Sequence, residues 1–349
     1  MEKREDPAAG RRPEPPAAGR QNSGARETGA MEKRPKVSVC VPAYNNEAEV
    51  RRLFASLAAQ TMQDMEIILT DDSTDGKVGE LAEWIRTGAR EAAGMAQGPG
   101  QVFRDAPCMK RLRYVHNEKP LGHIFNWNKA LSLAEGEYIK IMFSDDWFTE
   151  KDSLEKLTAL LDDNPRASLA FCGTRQVSKK RTWERAAGKD YVDRLRRDYR
   201  YLFLGNEIGA PSATLYRACG AAFDERSSWA SDMFLYFEIL RKNPVFVCTA
   251  EPLISIGVHE QQYTESFSGR DIRKYRDSLL MYEKYRLEGL EECRKEMLRL
   301  NVVYGQGMRA AMACGASRGE YRKQRVRWFW ENTVLGYGNA LLYKLGFRR

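Results

Sequence analysis

The 349-residue sequence predicts an α/β fold, a mainly parallel sheet flanked by helices with a helical C-terminal extension. Three observations carry this. Short apolar runs alternate with stretches of helical period, giving strand, helix, strand, helix from residue 36 to the region of residue 145. The runs are too continuously apolar to be half-exposed, as befits strands buried on both faces of a parallel sheet. Each run ends on polar or acidic residues, where open α/β sheets hold their ligands.

Residues 37–45, "VSVCVPAYN", are an apolar strand closed by Pro42 and a polar turn. "EAEVRRLFASLAAQ" follows with Val50, Leu53, Phe54 and Leu57 at helical spacing. "EIILTDD" (66–72) is the second strand, succeeded by a helix through Leu81, Trp84 and Ile85 and a surface excursion over 88–101. "RLRYVHN" (111–117) is the third strand, and "HIFNWNKALSLAEG" a helix that Gly136 closes in the C′ manner. "IKIMFSDDWFT" (139–149) is the fourth strand, running into Asp145 and Asp146. Beyond it the pattern predicts a helix near 150–163, started by Thr149 and Asp152 as a capping-box-like pair, and a strand over 168–173. A basic connector over 175–190, a helix over 190–204 and a turn-rich stretch over 205–217 come next. A helix over 229–242, a strand over 244–248, a loop over 254–266 and mostly helix over 271–313 complete the chain.

Residues 1–34 are rich in Pro, Gly, Ala and charge and are expected to form a disordered tail, with Met31 of a second "MEKR" as an alternative start. A catalytic domain is expected over 35–262 and a helical extension with a basic, aromatic tail over 263–349. No apolar run reaches the roughly 18–20 residues of a membrane helix, and no apolar core of a secretory signal is evident. Seven cysteines without metal-ligand spacing and three histidines argue for reduced thiols in a cytoplasmic protein, and against a zinc centre. Of the net charge of +8, most lies in residues 321–349, where seven Lys/Arg meet one acid among Trp328, Phe329, Trp330, Tyr337, Tyr343 and Phe347. That tail either lies on anionic lipid or packs its aromatics on the body.

Two adjacent carboxylates at the end of a buried strand repel each other unless a cation neutralises them. Helix capping is the bland explanation for Asp145–Asp146, and a divalent Mg²⁺ or Mn²⁺ with substrate phosphates the sharper one. Asp71–Asp72 is a second acidic pair, able to accept from a base N–H or a ribose, or merely to form a polar turn. In order and spacing, "SVCVPAYNNE", "ILTDDSTDG", "NEKPLGHIFNWNKALSLAEGEYIKIMFSDD" and its closing "SDDW" resemble the family 2 glycosyltransferases, which have the GT-A fold. The resemblance covers roughly residues 36–260.

It implies an inverting, metal-dependent transfer of a sugar from a nucleotide-diphosphate sugar to a hydroxyl acceptor, a glycan or lipid-linked glycan, as in cell-surface polysaccharide assembly. Pro42 and Tyr44 then belong to the donor site, with Tyr44 near the base. Asp72 would bond the base N–H, Asp145 contact the ribose and Asp146 bind the metal, with His259 of "GVHEQQYTES" as a second ligand or an ordinary loop residue. Asp232 in "ASDMFLYFEILRK" is implied as general base, with an N-terminal helix acid as the alternative. Trp147 either walls the sugar site or packs in the core. Where the family often has Arg, this chain has Trp127, so Lys129 or Arg217 is expected to pair with the diphosphate instead. Two rivals fit less well. Nucleotidyl transfer onto a sugar phosphate wants a glycine-rich loop after the first strand, and "PAYNNEAE" has no glycine. A basic nucleic-acid-binding module wants cations on the sheet, whose edge here is acidic, so nucleic acid is not an expected partner.

Overall fold

The computed structural model describes residues 34–87, 103, 105–259, 267 and 269–334. The apolar runs become strands β1 (Val37–Ala43), β2 (Met65–Asp71), β3 (Leu112–His116) and β4 (Tyr138–Ile141). Between them lie α1 (Glu47–Ala58), α2 (Lys77–Thr87) and α3 (His123–Ser132). These four strands are ordered β3-β2-β1-β4 and all pair in parallel. Side-chain alternation sorts β1 to both faces of the sheet. Val37, Val39 and Val41 enter the core beneath α1 and α2, while Cys40 enters the opposite core with Ile124 and Ala130 of α3. The expected tail over 1–34 falls, apart from Arg34, outside the described residues, as does the excursion over 88–101.

The second half is β5 (Trp147–Phe148), α4 (Ser153–Asp162), β6 (Leu169–Ser178), β7 (Thr182–Arg185), α5 (Lys189–Arg197), β8 (Thr214–Arg217), α6 (Ser231–Lys242) and β9 (Phe246–Val258). The sheet continues from β4 through β8, β6 and β9 to β5, with β7 on β6. Here the sequence reading needs correction. The basic connector is the end of β6 and the returning β7, which pair antiparallel. The turn-rich stretch closes in β8, antiparallel to both β4 and β6. The expected loop over 254–266 begins inside β9, which pairs parallel with β6 as far as Val258, and its residues 260–266 lie outside the described residues. β7 is largely exposed, and β8 and the end of β9, though buried, are short or broken by Thr, Ser, Gly and Arg, so they take their conformation from pairing and lack the apolar continuity that marks β1 and β2.

Smaller differences have local causes. The helix expected over 190–204 breaks at Asp198, whose side chain accepts from Arg200 N and starts a 3₁₀ turn over Tyr199–Leu204. α3 stops at Ser132, so Gly136 is no C′ residue. It is small because β1 passes against it: a Cβ there would lie 2.5 Å from Ser38 N. α4 starts at Asp152 without a side-chain cap bond, and the Thr149 hydroxyl pairs with Ser255 Oγ instead, at 3.0 Å.

α7 (Ile272–Lys284), α8 (Glu291–Val303), α9 (Gly307–Ala313) and α10 (Arg318–Phe329) follow, as the helical pattern predicts. Tyr275, Met281, Tyr285, Cys293 and Met297 of α7, α8 and their junction share one buried cluster with Phe234 and Phe237 of α6. The ring of Tyr285 stacks on Phe237 with centroids 4.4 Å apart.

Candidate active site

From β1 the chain moves outward to β2 and β3, then crosses back to place β4 on the other side of β1. That reversal opens a crevice beyond the carboxyl ends of β1 and β4, the place where open α/β sheets bind ligands. Pairing of β4 with β1 stops at Cys40–Ile141, and Pro42, two residues on, has no N–H with which to extend it. A cavity of about 940 Å³ fills the crevice. Pro42, Tyr44, Asp72, Asp145, Asp146, Asp232 and His259, all singled out by sequence, line it.

Each is placed by identifiable contacts. After β1, Asn45 takes a left-handed conformation (φ 50°), which Asn tolerates better than most residues. Its N–H donates to Ser73 Oγ at 2.8 Å and its side-chain oxygen accepts from Thr74 N at 3.0 Å, joining the loops after β1 and β2. Asn46 bonds Ser144 Oγ, joining the loops after β1 and β4, and leaves Tyr44 59% exposed at the rim. Asp72 accepts from Leu121 N (3.1 Å), Gly122 N (2.9 Å) and Asn117 Nδ2 (2.6 Å), so it holds the entry to α3 as well as facing the cavity. Asn126 supports the same network through Asn117, Ala43 O and Thr70 O. Asp71 belongs elsewhere. Its carboxylate accepts from Ser73 N and the Tyr114 hydroxyl, both at 2.8 Å, and does not line the cavity.

The turn bearing Asp145 and Asp146 is held from two sides. Arg52 of α1 donates to Asp145 O at 2.6 Å while its guanidinium lies over the Trp147 ring, 4.0 Å from the centroid. Trp147 is thereby part of the support, not of the cavity wall. Behind the turn runs β9, so close that a Cβ at Gly257 would meet Asp145 O at 2.6 Å. Gly257 N donates to Asp146 Oδ1 at 3.3 Å. Asp146 is 2% exposed, and its burial, with Asp145 beside it, holds its carboxyl well above the usual range. Lys140 of β4, fully buried and donating to Ser212 O and Thr214 O, offsets part of that charge and is itself lowered to about 8 by burial. His259 Nε2 lies 3.1 Å from Asp145 Oδ2, so its direct partner is Asp145 and not Asp146.

Asp232 sits in the first turn of α6. Its Oδ2 accepts from Asn206 Nδ2 at 2.6 Å and its Oδ1 from Met233 N at 2.8 Å. Asn206 is fixed in turn by two bonds to Gly209, whose φ of 96° suits glycine, and Gly209 O also accepts from the Tyr236 hydroxyl. Burial pushes the Asp232 carboxyl up to about 6. Trp229 also lines the cavity, three residues before Asp232 and 38% exposed. The backbone that presents it is gripped by Asp277 of α7, a buried carboxylate accepting from Ser228 N, Trp229 N and Ala230 N at 2.9, 2.6 and 2.9 Å. Sequence reasoning passed over Asn117, Asn126, Arg52, Asn206, Gly257 and Asp277. Asn117 and Asn126 stand within the family-like stretch 117–146, which could have pointed to them, while Arg52, Asn206, Gly257 and Asp277 reveal themselves only as partners in space.

The electrostatics of the cavity are one-sided. Glu49, Asp72, Asp145, Asp146 and Asp232 give it five carboxylates, and no Lys or Arg lines it among the described residues. The two cations expected to face a diphosphate are both employed elsewhere. Lys129 bonds Asn117, and Arg217 on β8 binds Ala167 O, Leu161 O and Glu137. Trp127 occupies the wall, packed with His123, Phe143 and Phe223. Among the described residues, no three His, Cys, Asp or Glu side chains converge as a ready-made metal cluster. A carboxylate pair with one member buried and the other half-buried at the edge of a cavity nonetheless suits a hard divalent cation that completes its shell with ligand phosphates.

Comparison with known proteins accords with this geometry. An uncharacterized protein of Mycobacterium tuberculosis is 28% identical over 197 residues, 53% of this chain and 54% of its own. The putative glycosyltransferase EpsH of Bacillus subtilis is 28% identical over 185 residues, 52% of this chain and 47% of its own. The chain spans about half the length of these curated relatives. Among solved structures, S. aureus TarS in complex with UDP-GlcNAc superposes with a TM-score of 0.55 at 17% identity, over 84% of this chain and 79% of that one. The mannosyltransferase PcManGT of Pyrobaculum calidifontis, in complex with GDP-Man and Mn²⁺, also gives 0.55 at 17%, over 89% and 81%. At that identity the likeness establishes the fold, the GT-A arrangement that the sequence resemblance implied. The glycosyl transferase family 2 model matches residues 38–93 and 102–226, and the chain belongs to that family.

Proposed function

We propose that the chain transfers a sugar from a nucleotide-diphosphate donor to a hydroxyl acceptor, with inversion at the anomeric carbon and with a divalent Mg²⁺ or Mn²⁺. The observation that carries this reading is the cavity lined by five carboxylates and, among the described residues, by no Lys or Arg. A diphosphate enters such a space only with a cation of its own. When bound, such a cation would supply the positive charge that offsets the charge building on a departing diphosphate. Asp146 is the residue that would hold it, with His259 reaching the same edge through Asp145.

The chain's own residues do the rest. Tyr44, at the rim, offers its ring to the base, and Asp72 keeps one lone pair of Oδ2 for a base N–H beyond its bond from Gly122. Asp145 faces the ribose. Asp232 Oδ2 or Oδ1 takes the acceptor's hydroxyl proton as the oxygen attacks from the side opposite the leaving group. A carboxyl pushed up to about 6 is a stronger base than an ordinary aspartate and remains ionised near neutrality. One base and one in-line displacement invert the configuration. The half-exposed indole of Trp229 beside Asp232 suits the apolar face of a sugar ring, so the acceptor is a glycan or a lipid-linked glycan of the kind assembled into surface polysaccharide.

Calorimetry with UDP-, GDP- and dTDP-sugars tests the reading. At least one donor should bind in the presence of Mn²⁺ and lose its heat in EDTA. Absence of any binding with Mn²⁺, or binding indifferent to EDTA, would overturn it.

A further inference from the structure

The last described helix carries two apolar faces. Tyr321 and Trp328 turn inward and pack with Leu298, Val302, Ala311 and Ala316, so half of the aromatic character of this segment serves the body of the protein. Val326, Phe329 and Trp330 stay outside that cluster and are 58%, 53% and 55% exposed. At 100° per residue, Val326 falls on the side of α10 opposite Tyr321 and Trp328, while Phe329 and Arg322 lie about a quarter-turn from those two. Arg325 flanks this outward stripe on one side and Lys323 on the other, both exposed. From Arg318 to Asn332 the segment has five basic and two acidic residues, and both acids are spoken for: Glu320 by Arg294 and Glu331 by Arg327. Arg322 and Lys323 therefore face solvent beside the apolar residues, and Arg325, also exposed, stands over the rim of Tyr321, 5.9 Å from its ring centroid.

We infer that this outward face of α10 and the turn after it is a docking surface for an anionic membrane. An apolar stripe with aromatic residues, edged by cations, is the pattern that buries rings at the headgroup boundary while Arg and Lys meet lipid phosphates. The charge pattern selects this occupant. A second copy of the chain would bring cations against cations, and a neutral apolar partner would leave three of them unused. Among the described residues no helix is long and apolar enough to cross a membrane. The inference does not depend on the catalytic reading, because no residue of the cavity takes part in it.

The test is flotation of the full chain with vesicles of phosphatidylcholine alone and with about 30% phosphatidylglycerol, at low and high salt. Binding should require the anionic lipid and fall with salt, because exposed charges are screened over about 10 Å at 0.1 M. Arg322→Glu with Arg325→Glu should weaken it by well over tenfold, each lost cation counting for roughly fivefold before the added repulsion. Phe329→Ser with Trp330→Ser should weaken it by more than tenfold through lost apolar burial. Both pairs are exposed, and unchanged thermal melts will show that the fold is intact. Brominated lipid should quench wild-type fluorescence more than that of Trp330→Phe. Equal binding to both vesicle types, no binding to either, binding unaffected by the two double variants, retention on single-stranded RNA in place of vesicles, or a dimer that Phe329→Ser with Trp330→Ser dissociates would each overturn the inference.

Discussion

Replacing Asp232 by Asn should make the protein more stable and inactive, and the gain should depend on pH in one direction only. Burial raises this carboxyl from the ordinary 3.8 to about 6. The folded state thus holds the proton more tightly than the unfolded chain does, so this group favours folding least where it is ionised. Above pH 7 the cost of that ionisation is about 2 pKa units, or roughly 3 kcal/mol, and it disappears as the pH falls from about 6 to about 4. Asn carries no charge and escapes the cost. It cannot, however, accept from both Asn206 Nδ2 and Met233 N as the carboxylate does, and one lost hydrogen bond costs about 1 kcal/mol. The variant should therefore exceed wild type by roughly 1–2 kcal/mol above about pH 7, the difference shrinking to zero between about pH 4 and 5. Urea unfolding across that range reads it, beside an assay of sugar transfer that should fall by a factor of about 10²–10⁴. Donor binding by calorimetry should persist. A variant destabilised equally at every pH, or one that still transfers sugar, would refute the assignment of Asp232 as a strained base.

Further outcomes follow from the same geometry. In wild type, transfer should fall about tenfold per unit below about pH 6 as Asp232 takes up its proton, measured as an initial-rate profile. Asp146→Asn should abolish the Mn²⁺-dependent heat of donor binding, and survival of that heat would remove Asp146 from the cation site. Gly257→Ala forces a methyl to within 2.6 Å of Asp145 O, so β9 or the Asp145–Asp146 turn must move, and donor affinity should drop by at least about tenfold with stability lowered by roughly 1–3 kcal/mol. Asp277→Ala strips the acceptor from three main-chain N–H groups, that of Ala230 buried and the other two half-buried, and should cost about 2–4 kcal/mol, visible as a fall in Tm.

The first half of the fold was legible because β1 and β2 are nearly continuous apolar runs and the crossover helices carry clear stripes, so Val37–Ala43 and Val50–Leu57 announce themselves. The second half was not. β7, β8 and the far part of β9 are short or mixed in character and exist because β6 and β4 offer them partners. The candidate site divides along the same line. Residues at strand ends, Tyr44, Asp72, Asp145 and Asp146, stand where topology brings any such residue to the crevice. Lys129 and Arg217 looked available as cations, yet each is consumed by neighbours far away in sequence. Asn206 reads as one more polar turn residue, and only the fold sets its amide against Asp232.

The grip of Asp277 on residues 228–230 has a practical side. A chain cut short before α7 would retain every strand-end group proposed to face the donor, yet would leave three main-chain donors bare just ahead of the helix that carries Asp232. Truncation before α7 would also strip Tyr275, Met281 and Tyr285 from the buried cluster they share with Phe234 and Phe237. Grafting of a foreign C-terminal segment therefore has to restore both a carboxylate at the place of Asp277 and an apolar cover for α6 before Asp232 can be expected to keep its position.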